Sequence, residues 1–597
     1  MHPNLLLVGA ACLPATLGSV VATRASPRAD IRADTNRDGT VDLEGDSDVK
    51  GKQAWTASSG AVFLPNIGDT DRRCSKKALS GPALSNEALD DCNDASDNIQ
   101  RAPQFLAPLK TVPLRGLAAN AVGTVSVSDQ TARDNVRIFR SDTGKWTFTD
   151  NDFQFSKEAL EAGLELGIDA RDTRRPDGWD GKVTVTFTVR GDNANSTDQV
   201  ALRVAPVLTH HHLQPVEQVL AVAGNATDAP FINQFTQDLS AAVKGAGINQ
   251  DVYLFNASDD IWVQDFVEPG YASMPGPNGP VSIRVMIRCP QDSRVAGRQL
   301  FEYFRKDGVG AVQHLGGARD EINSGGNIET VPPHSFNGKA WPAGRVILGN
   351  HGEQKHHILP YLQAQETQDP ILLDTDWLSI GHVDEFLQFL PADNARGWVV
   401  MVDDPLAGLA MLKDLEAKGH GSVAAISRPN DTNTQPPKGC QSFFCEPVPV
   451  KSTTIAQALS DSAFVGLNQQ CAERIENNIA ILKREVGLAD ADILRLPTLF
   501  ENSPFGEVPE GKLKVGAFYP GVVNNLVLTG TKTCVAPRPW GPTPLNGTDV
   551  LAEAIRAQYV KIGVQMAFVD DWNTHHSYGG EVHCGTNLLR ATSDRWW

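Results

Sequence analysis

Beyond residue 218, short apolar runs of strand length keep alternating with stretches of helical period, which restricts that part of the chain to a mixed α/β architecture. VYLFNA (252–257), VSIRVMIR (281–288), GRVILGN (344–350), PILLDTDWL (370–378), GWVVMVDD (397–404), NNLVLTG (524–530) and VQMAFVDD (564–571) read as strands. FINQFTQDLSAAVKGAG (231–247) and CAERIENNIAILKREVG (471–487) read as helices. No internal repeat is evident. A chain of 597 residues is too long for one hydrophobic core, so two to four domains are expected.

The region before residue 206 has a different pattern. In KVTVTFTVRG, from Lys182 to Gly191, the apolar Val183, Val185, Phe187 and Val189 alternate with polar residues, so one face is buried and the other wet. Such strands, separated by Gly, Asp and Asn turns, predict a β-sandwich of immunoglobulin type over 26–205. The run RVAPVLTHHHLQPVEQ (203–218) marks the boundary to a second domain, 206–597. Its triplet His210, His211 and His212 could bind metal, but adjacent side chains on a linker point in different directions, so a solvated hinge is the favoured reading. Near the amino terminus, Asp34, Asn36, Asp38 and Asp42 surround Gly39. Alternating oxygen side chains around a glycine form an EF-hand-like calcium loop, although no Glu stands at the twelfth position. A solvated acidic loop fits the same residues.

A formal charge of −18 argues against a partner held through its phosphates. It suits a cationic substrate, although excess acid more often serves solubility. Residues 1–25 read as a secretory signal peptide, with an apolar run from Leu5 to Val21 broken by Pro14. Sequons at Asn195, Asn225, Asn256, Asn430 and Asn546 are compatible with export. No later segment is apolar for long enough to span a membrane, so a secreted protein is expected. Cys12 would leave with the signal. Cys74 with Cys92 and Cys440 with Cys445 are candidate disulfides. If Cys584 stays a thiol, at least one further cysteine is unpaired, and Cys289 is the expected one.

Four islands combine acids, histidine and cysteine: DDIWVQDFVEPGY (259–271), NSGGNIETVPPH (323–334), DWLSIGHVDEFLQFLP (376–391) and GGEVHCGTN (579–587). Each alone has a bland reading, such as a capped strand end or a glycine turn. His382 and Asp384 are two apart, too few ligands for a metal centre. Cys584, between His583 and Gly585, is the more unusual feature, since a reactive thiol needs an electropositive and accessible place.

Taken together, the islands resemble the protein-arginine deiminases. The likeness rests on DWLSIGHVDEFLQFLPA, GEVHCGTN and the terminal Trp596-Trp597, and extends to KQAWTASSGAVFLPNIGDTD, LKREVGLADADILRLPTLF and FYPGVVNNLVL in the same order. An amino-terminal immunoglobulin-like subdomain of the vertebrate enzymes has no counterpart here. The resemblance implies a catalytic α/β propeller of five pseudo-repeated units (a pentein), acting on peptidyl-arginine to give citrulline and ammonia. It implies Cys584 as nucleophile through a covalent thiouronium, Asp265 and Asp384 as guanidinium ligands, His382 as proton carrier and Trp262 as a wall for the arginine stem. Thiolate attack and bidentate carboxylate recognition both suit that chemistry.

The resemblance also implies calcium. Asp69 and Asp71 join the amino-terminal set. Gln264, Glu268 and Glu329, with backbone oxygens of Gly325 and Ile328, match a first ion near the active site. At a second ion, Phe266 and Arg288 stand where acids are expected, so weak or absent calcium dependence is expected. Tyr578 stands where the relatives have an arginine that contacts the substrate backbone, and Arg294 is the nearest match to another. Three other readings fit less well. They are an enzyme of the same superfamily acting on free arginine or a small guanidine, a non-catalytic calcium-binding secreted protein, and a cysteine protease, in which the two carboxylates have no role.

Overall fold

The computed structural model describes Met1, 27–227, 229–256, 260–352, 354–430, Cys440, 445–503, 512–544 and 547–597. Apart from Met1, the expected signal peptide lies outside the described residues, as do Cys12, Asp259 and Asn546. The amino-terminal region holds two sheets. One runs in the order Ile31–Ala33, Ala107–Thr111, Glu165–Ala170, Val136–Asp142, Lys145–Phe148, and the other Ala61–Phe63, Ala194–Val204, Lys182–Gly191, Val122–Val127. Val183, Val185, Phe187 and Val189 are buried, as their alternation requires, against Leu109, Leu166 and Ile168 of the facing sheet.

The strands read from sequence beyond residue 206 are all present, and five sheets among the described residues share one pairing pattern. In each, a first strand pairs antiparallel with a second, and the second pairs parallel with a third. The first four units are Val267–Met274, Val281–Arg288, Val309–Gln313; Ile328–Val331, Arg345–Asn350, Ile371–Asp374; Leu387–Pro391, Trp398–Asp404, Ile493–Pro497; and Leu526–Leu528, Thr533–Pro537, Gln565–Val569. The fifth is assembled from both ends of the region, Asn587–Arg590 pairing with Val216–Val222, which pairs with Tyr253–Phe255. A parallel neighbour needs a long crossover, and helical segments supply it: Leu300–Phe304, Leu359–Gln365, Ser462–Val486, Val550–Val560 and Pro230–Gly245.

Five apolar clusters join each unit to the next. Ile287 and Val312 of the first meet Val346 and Leu348 of the second. Ile347 and Leu373 meet Phe389 and Val400 of the third, and Met401 meets Val527 and Ala536 of the fourth. Leu526 and Val535 meet Val219 and Leu588 of the fifth. Leu220 and Phe255 return to Val267 and Met286 of the first. The ring of contacts therefore closes on itself. The amino-terminal sandwich shares the core between the first and second units. It is also tied there by the paired bonds from Arg203 to Glu366, at 2.7 and 2.8 Å.

One expectation needs correction. The triplet 210–212 is not solvated: all three imidazoles are buried, His210 stacking on Tyr271 and His212 facing the Phe389 carbonyl. The acids of the amino-terminal loop take up donors of the loop itself. Asp34 accepts from the N–H groups of Asp38 and Gly39, Asp38 from that of Thr40, and Asp42 from the Ser47 hydroxyl. Asn36 is turned onto Asp38. Asp69 and Asp71 form a separate group with Asp94, and Asp69 caps the turn through Cys74 and Ser75. Asp94 Oδ1 is buried without a hydrogen-bond partner, so this group keeps an open lone pair. Gly39 turns the loop at φ 96°, where a side chain would collide with the Gly276 carbonyl.

Candidate active site

Every unit's first strand is entered through a tight polar turn, and the five turns touch one another. They carry Gln264-Asp265, Gly326-Asn327, His382 to Glu385, Asn524-Asn525 and His583-Cys584. The Gln264 N–H donates to the Cys584 carbonyl at 3.2 Å, and that of His583 to the Asn524 carbonyl at 3.3 Å. Gly325 allows its turn to approach, since a Cβ there would lie 2.2 Å from the Gln264 carbonyl oxygen.

Cys584 is 5 % exposed, more enclosed than a reactive thiol was expected to be. Its Sγ lies 3.5 Å from Asp384 Oδ2 and accepts from Asn524 Nδ2 at 3.3 Å. Asn524 Oδ1 in turn accepts the Cys584 N–H at 3.2 Å, which fixes the cysteine from both sides. Asp384 Oδ2 also accepts from His583 Nδ1 at 2.9 Å. Burial and the Asp384 and Asp265 carboxylates push the thiol well above its ordinary range.

On the facing side, His382 Nδ1 stands 3.9 Å from Asp265 Oδ1, while its Nε2 bonds the Glu321 carbonyl at 2.9 Å. That carbonyl can only accept, so Nε2 carries a hydrogen. Burial disfavours the imidazolium, but Asp265, Asp384, Glu385 and Glu321 outweigh it and hold His382 above its usual value. Burial likewise pushes Asp265 up to about 6, against the pull of Arg294 and His382. Asp265 Oδ1, Asp384 Oδ1 and His382 Nδ1 are buried with no hydrogen-bond partner in the protein. Unsatisfied buried polar atoms are costly, so two open carboxylate oxygens and an imidazole nitrogen around a cysteine mark a place built for a donor-rich cation.

Gly326 keeps that place open, since a Cβ would lie 2.6 Å from His382 Nδ1 and 3.0 Å from Asp265 Oδ1. Gly580 does the same between Trp262 and Cys584, at 2.6 and 3.0 Å. Trp262 and Tyr578 are half-buried and share one apolar cluster with Ile261 at this mouth. Arg294 does not present the free guanidinium expected of a peptide contact. It pairs with Asp260 at 3.0 Å, Asp265 Oδ2 at 3.1 Å and Glu321 at 3.3 Å, and so holds Asp265 in place. The reason is local charge: three carboxylates surround it.

A family model described as protein-arginine deiminase matches residues 194–597. The chain belongs to the protein-arginine deiminase family. It is 32% identical over 417 residues to mouse protein-arginine deiminase type-4, a match covering 67% of this chain and 56% of that protein. It is 28% identical over 587 residues to human protein-arginine deiminase type-4, covering 92% and 80%. This member of the deiminase family thus spans little more than half of the mouse relative in the stronger match. Among solved structures, Campylobacter jejuni agmatine deiminase matches at 12% identity and a TM-score of 0.34, covering 64% of this chain and 96% of that one; a score so low carries no weight for the fold.

The calcium residues implied by the deiminase resemblance can be tested for fit. Gln264, Glu268 and Glu329 line one small cavity beneath Cys584, with Ile328. Its other walls include His212, His583 and Arg590. Calcium takes 6–8 oxygen ligands, and a wall with two imidazoles and a guanidinium does not provide them. At the second position Phe266 packs edge-on against Phe255, and the Arg288 guanidinium bonds Asn86 and Gln313. The residues present do not suit a calcium pair.

Asn524, His583 and Glu321 do not stand out as site residues in the deiminase sequence. Asn524 had a signal: it precedes LVL as Asp265 precedes its own strand and Cys584 precedes NLLR. Cys74–Cys92 and Cys440–Cys445 are disulfides, while Cys289, Cys471, Cys534 and Cys584 are free.

Proposed function

We propose that the chain hydrolyses the guanidinium of arginine residues in peptides or proteins, giving citrulline and ammonia. The observation that supports this most is the trio of unpartnered buried atoms on Asp265, Asp384 and His382 beside the Cys584 thiol. A guanidinium is a planar cation with five N–H donors, and two carboxylates at its edges match it. Its positive charge offsets the acids that hold the Cys584 proton on, so as substrate binds the thiol yields that proton to water and the thiolate forms. The thiolate adds to the guanidinium carbon. His382 gives its Nδ1 proton to the departing nitrogen, and ammonia leaves a thiouronium on Cys584. His382 then takes a proton from water, whose oxygen adds to the same carbon, and the C–S bond breaks to release citrulline. Trp262 packs along the aliphatic stem and excludes water.

Residues 206–597 are read as the catalytic unit, a five-bladed α/β propeller, and 26–205 as an immunoglobulin-like domain against two of its blades. Secretion after removal of 1–25 is supported by the disulfides and by the exposure of Asn195, Asn225, Asn256 and Asn430. Among the described residues no helix is long and apolar enough to cross a membrane. The test is colorimetric citrulline release from a blocked arginine peptide and from free arginine, for wild type and Cys584→Ala. Turnover of the peptide by wild type alone is expected. Turnover of free arginine only would reassign the substrate, and citrulline from Cys584→Ala would move the nucleophile elsewhere.

A further inference from the structure

Beneath the catalytic turn, three buried side chains from separate parts of the ring point at one another. His212 lies on the segment entering the fifth unit, Glu329 on the first strand of the second, and His583 on the turn before Asn587–Arg590. Their ligand atoms all lie within 4.8 Å of one another. His583 Nε2 is 3.6 Å and His212 Nε2 3.8 Å from Glu329 oxygens, too far for direct hydrogen bonds. Two donors on one tetrahedral zinc, with bonds of about 2.0–2.2 Å, sit about 3.3–3.6 Å apart.

The outer contacts have the same character. His212 Nδ1 faces the Phe389 carbonyl at 2.9 Å, and His583 Nδ1 faces Asp384 Oδ2 at 2.9 Å. Each acceptor fixes a hydrogen on Nδ1 and leaves the Nε2 lone pair for the shared centre, as metal-binding histidines are ordinarily held. The cavity measures about 30 Å³, room for one small ion. Glu268 and Gln264 complete its wall, and Gln264 Oε1 is buried without a partner. Arg590 is the one opposing cation there, and its guanidinium is turned onto the Gln214 and Val527 carbonyls.

We infer that His212, Glu329 and His583 form a binding site for a divalent transition metal of the zinc type, with the fourth position open towards Gln264 and Glu268. Two imidazoles and a carboxylate suit zinc, whereas calcium is selected by oxygens alone. The site sits one residue from the nucleophile: His583 carries the hydrogen bond that orients Asp384, and Asp384 touches Cys584. A bound ion sets the direction of that carboxylate, which makes His583 a positioning residue between metal and thiol. The metal site does not depend on the proposed reaction, and its test is independent of turnover.

The experiment uses the full chain, stripped with chelator and dialysed to equilibrium against Zn²⁺ alone, Ca²⁺ alone and Co²⁺ alone, with bound metal measured by elemental analysis. One equivalent of zinc is expected, undisturbed by excess calcium, and cobalt should give the visible bands of a four-coordinate ion. Cys584→Ala should keep its zinc, although it loses the proposed chemistry. His212→Asn and Glu329→Gln should weaken zinc binding by at least about 100-fold, beyond the about 10–100-fold of an outer contact. Circular dichroism checks that the variants fold, and if they do not, the wild-type comparison decides alone. Absence of zinc from wild type, calcium bound in its place, or full zinc retention by both folded variants overturns the assignment.

Discussion

Two acid-rich regions of this molecule use carboxylates in opposite ways. In the loop from Asp34 to Asp48, Asp48 is fully buried and accepts from the N–H of Thr35, Asn36 and Asp42 and from the Thr35 hydroxyl. At the centre of the ring, Asp265 and Asp384 are as deeply enclosed, yet each keeps an oxygen that no protein group meets. The first arrangement satisfies its acids within a few residues and builds a scaffold. The second brings acids from different units together and leaves the demand open, which only a ligand can meet. Composition cannot tell the two apart; the destination of each lone pair can.

The contrast can be broken most severely at the centre. Asp384→Asn keeps the size of the side chain but removes its charge beside the thiol and the substrate, and kcat/KM for a blocked arginine peptide should fall by about 10³-fold or more. Gly326→Ala should cost about 100-fold in kcat/KM with the melting temperature nearly unchanged, because the added methyl occupies the space before Asp265 and His382. A variant with normal kinetics would mean the guanidinium does not bind there. The pH profile sharpens the comparison further. Asp265 titrates at about 6, so it is charged above that pH and protonated below it. kcat/KM should therefore decline about tenfold per unit as pH falls below 6, and an acid limb near 4 would assign substrate binding to another group. The smallest change in turnover is expected at the loop. Asp48→Ala should leave kcat/KM within about twofold, while denaturant unfolding shows a loss of about 2–4 kcal/mol from its stranded N–H donors. Comparable losses of turnover at both regions would erase the distinction.

Much of this was legible in the chain. The strand at Lys182–Gly191 follows from alternation, and the helices at 230–245 and 462–486 from their apolar period. Cys584, His382, Asp265 and Asp384 could be picked out through a family resemblance, because long motifs surround them. The fivefold repetition was not legible, since units of one pairing pattern here share almost no side chains: the turns offer Gln-Asp, Gly-Asn, His-Val-Asp, Asn-Asn and His-Cys in turn. The burial of 210–212 was also missed, because adjacency in sequence suggested a hinge while Tyr271, Phe389 and Asp594, distant in the chain, pack against it.

By itself the sequence determined which segments become strands and helices, since backbone period and side-chain apolarity act over a few residues. It also supplied the kinds of reactive group. Only the tertiary structure decided that the carboxyl-terminal strand pairs with Val216–Val222 to complete the ring, and that Asn524 holds Cys584 from a turn sixty residues away in the chain. It alone set His212 and Glu329 opposite His583. Such contacts depend on how separate units pack, and packing is chosen by the complementarity of whole buried surfaces, which no local window of sequence contains.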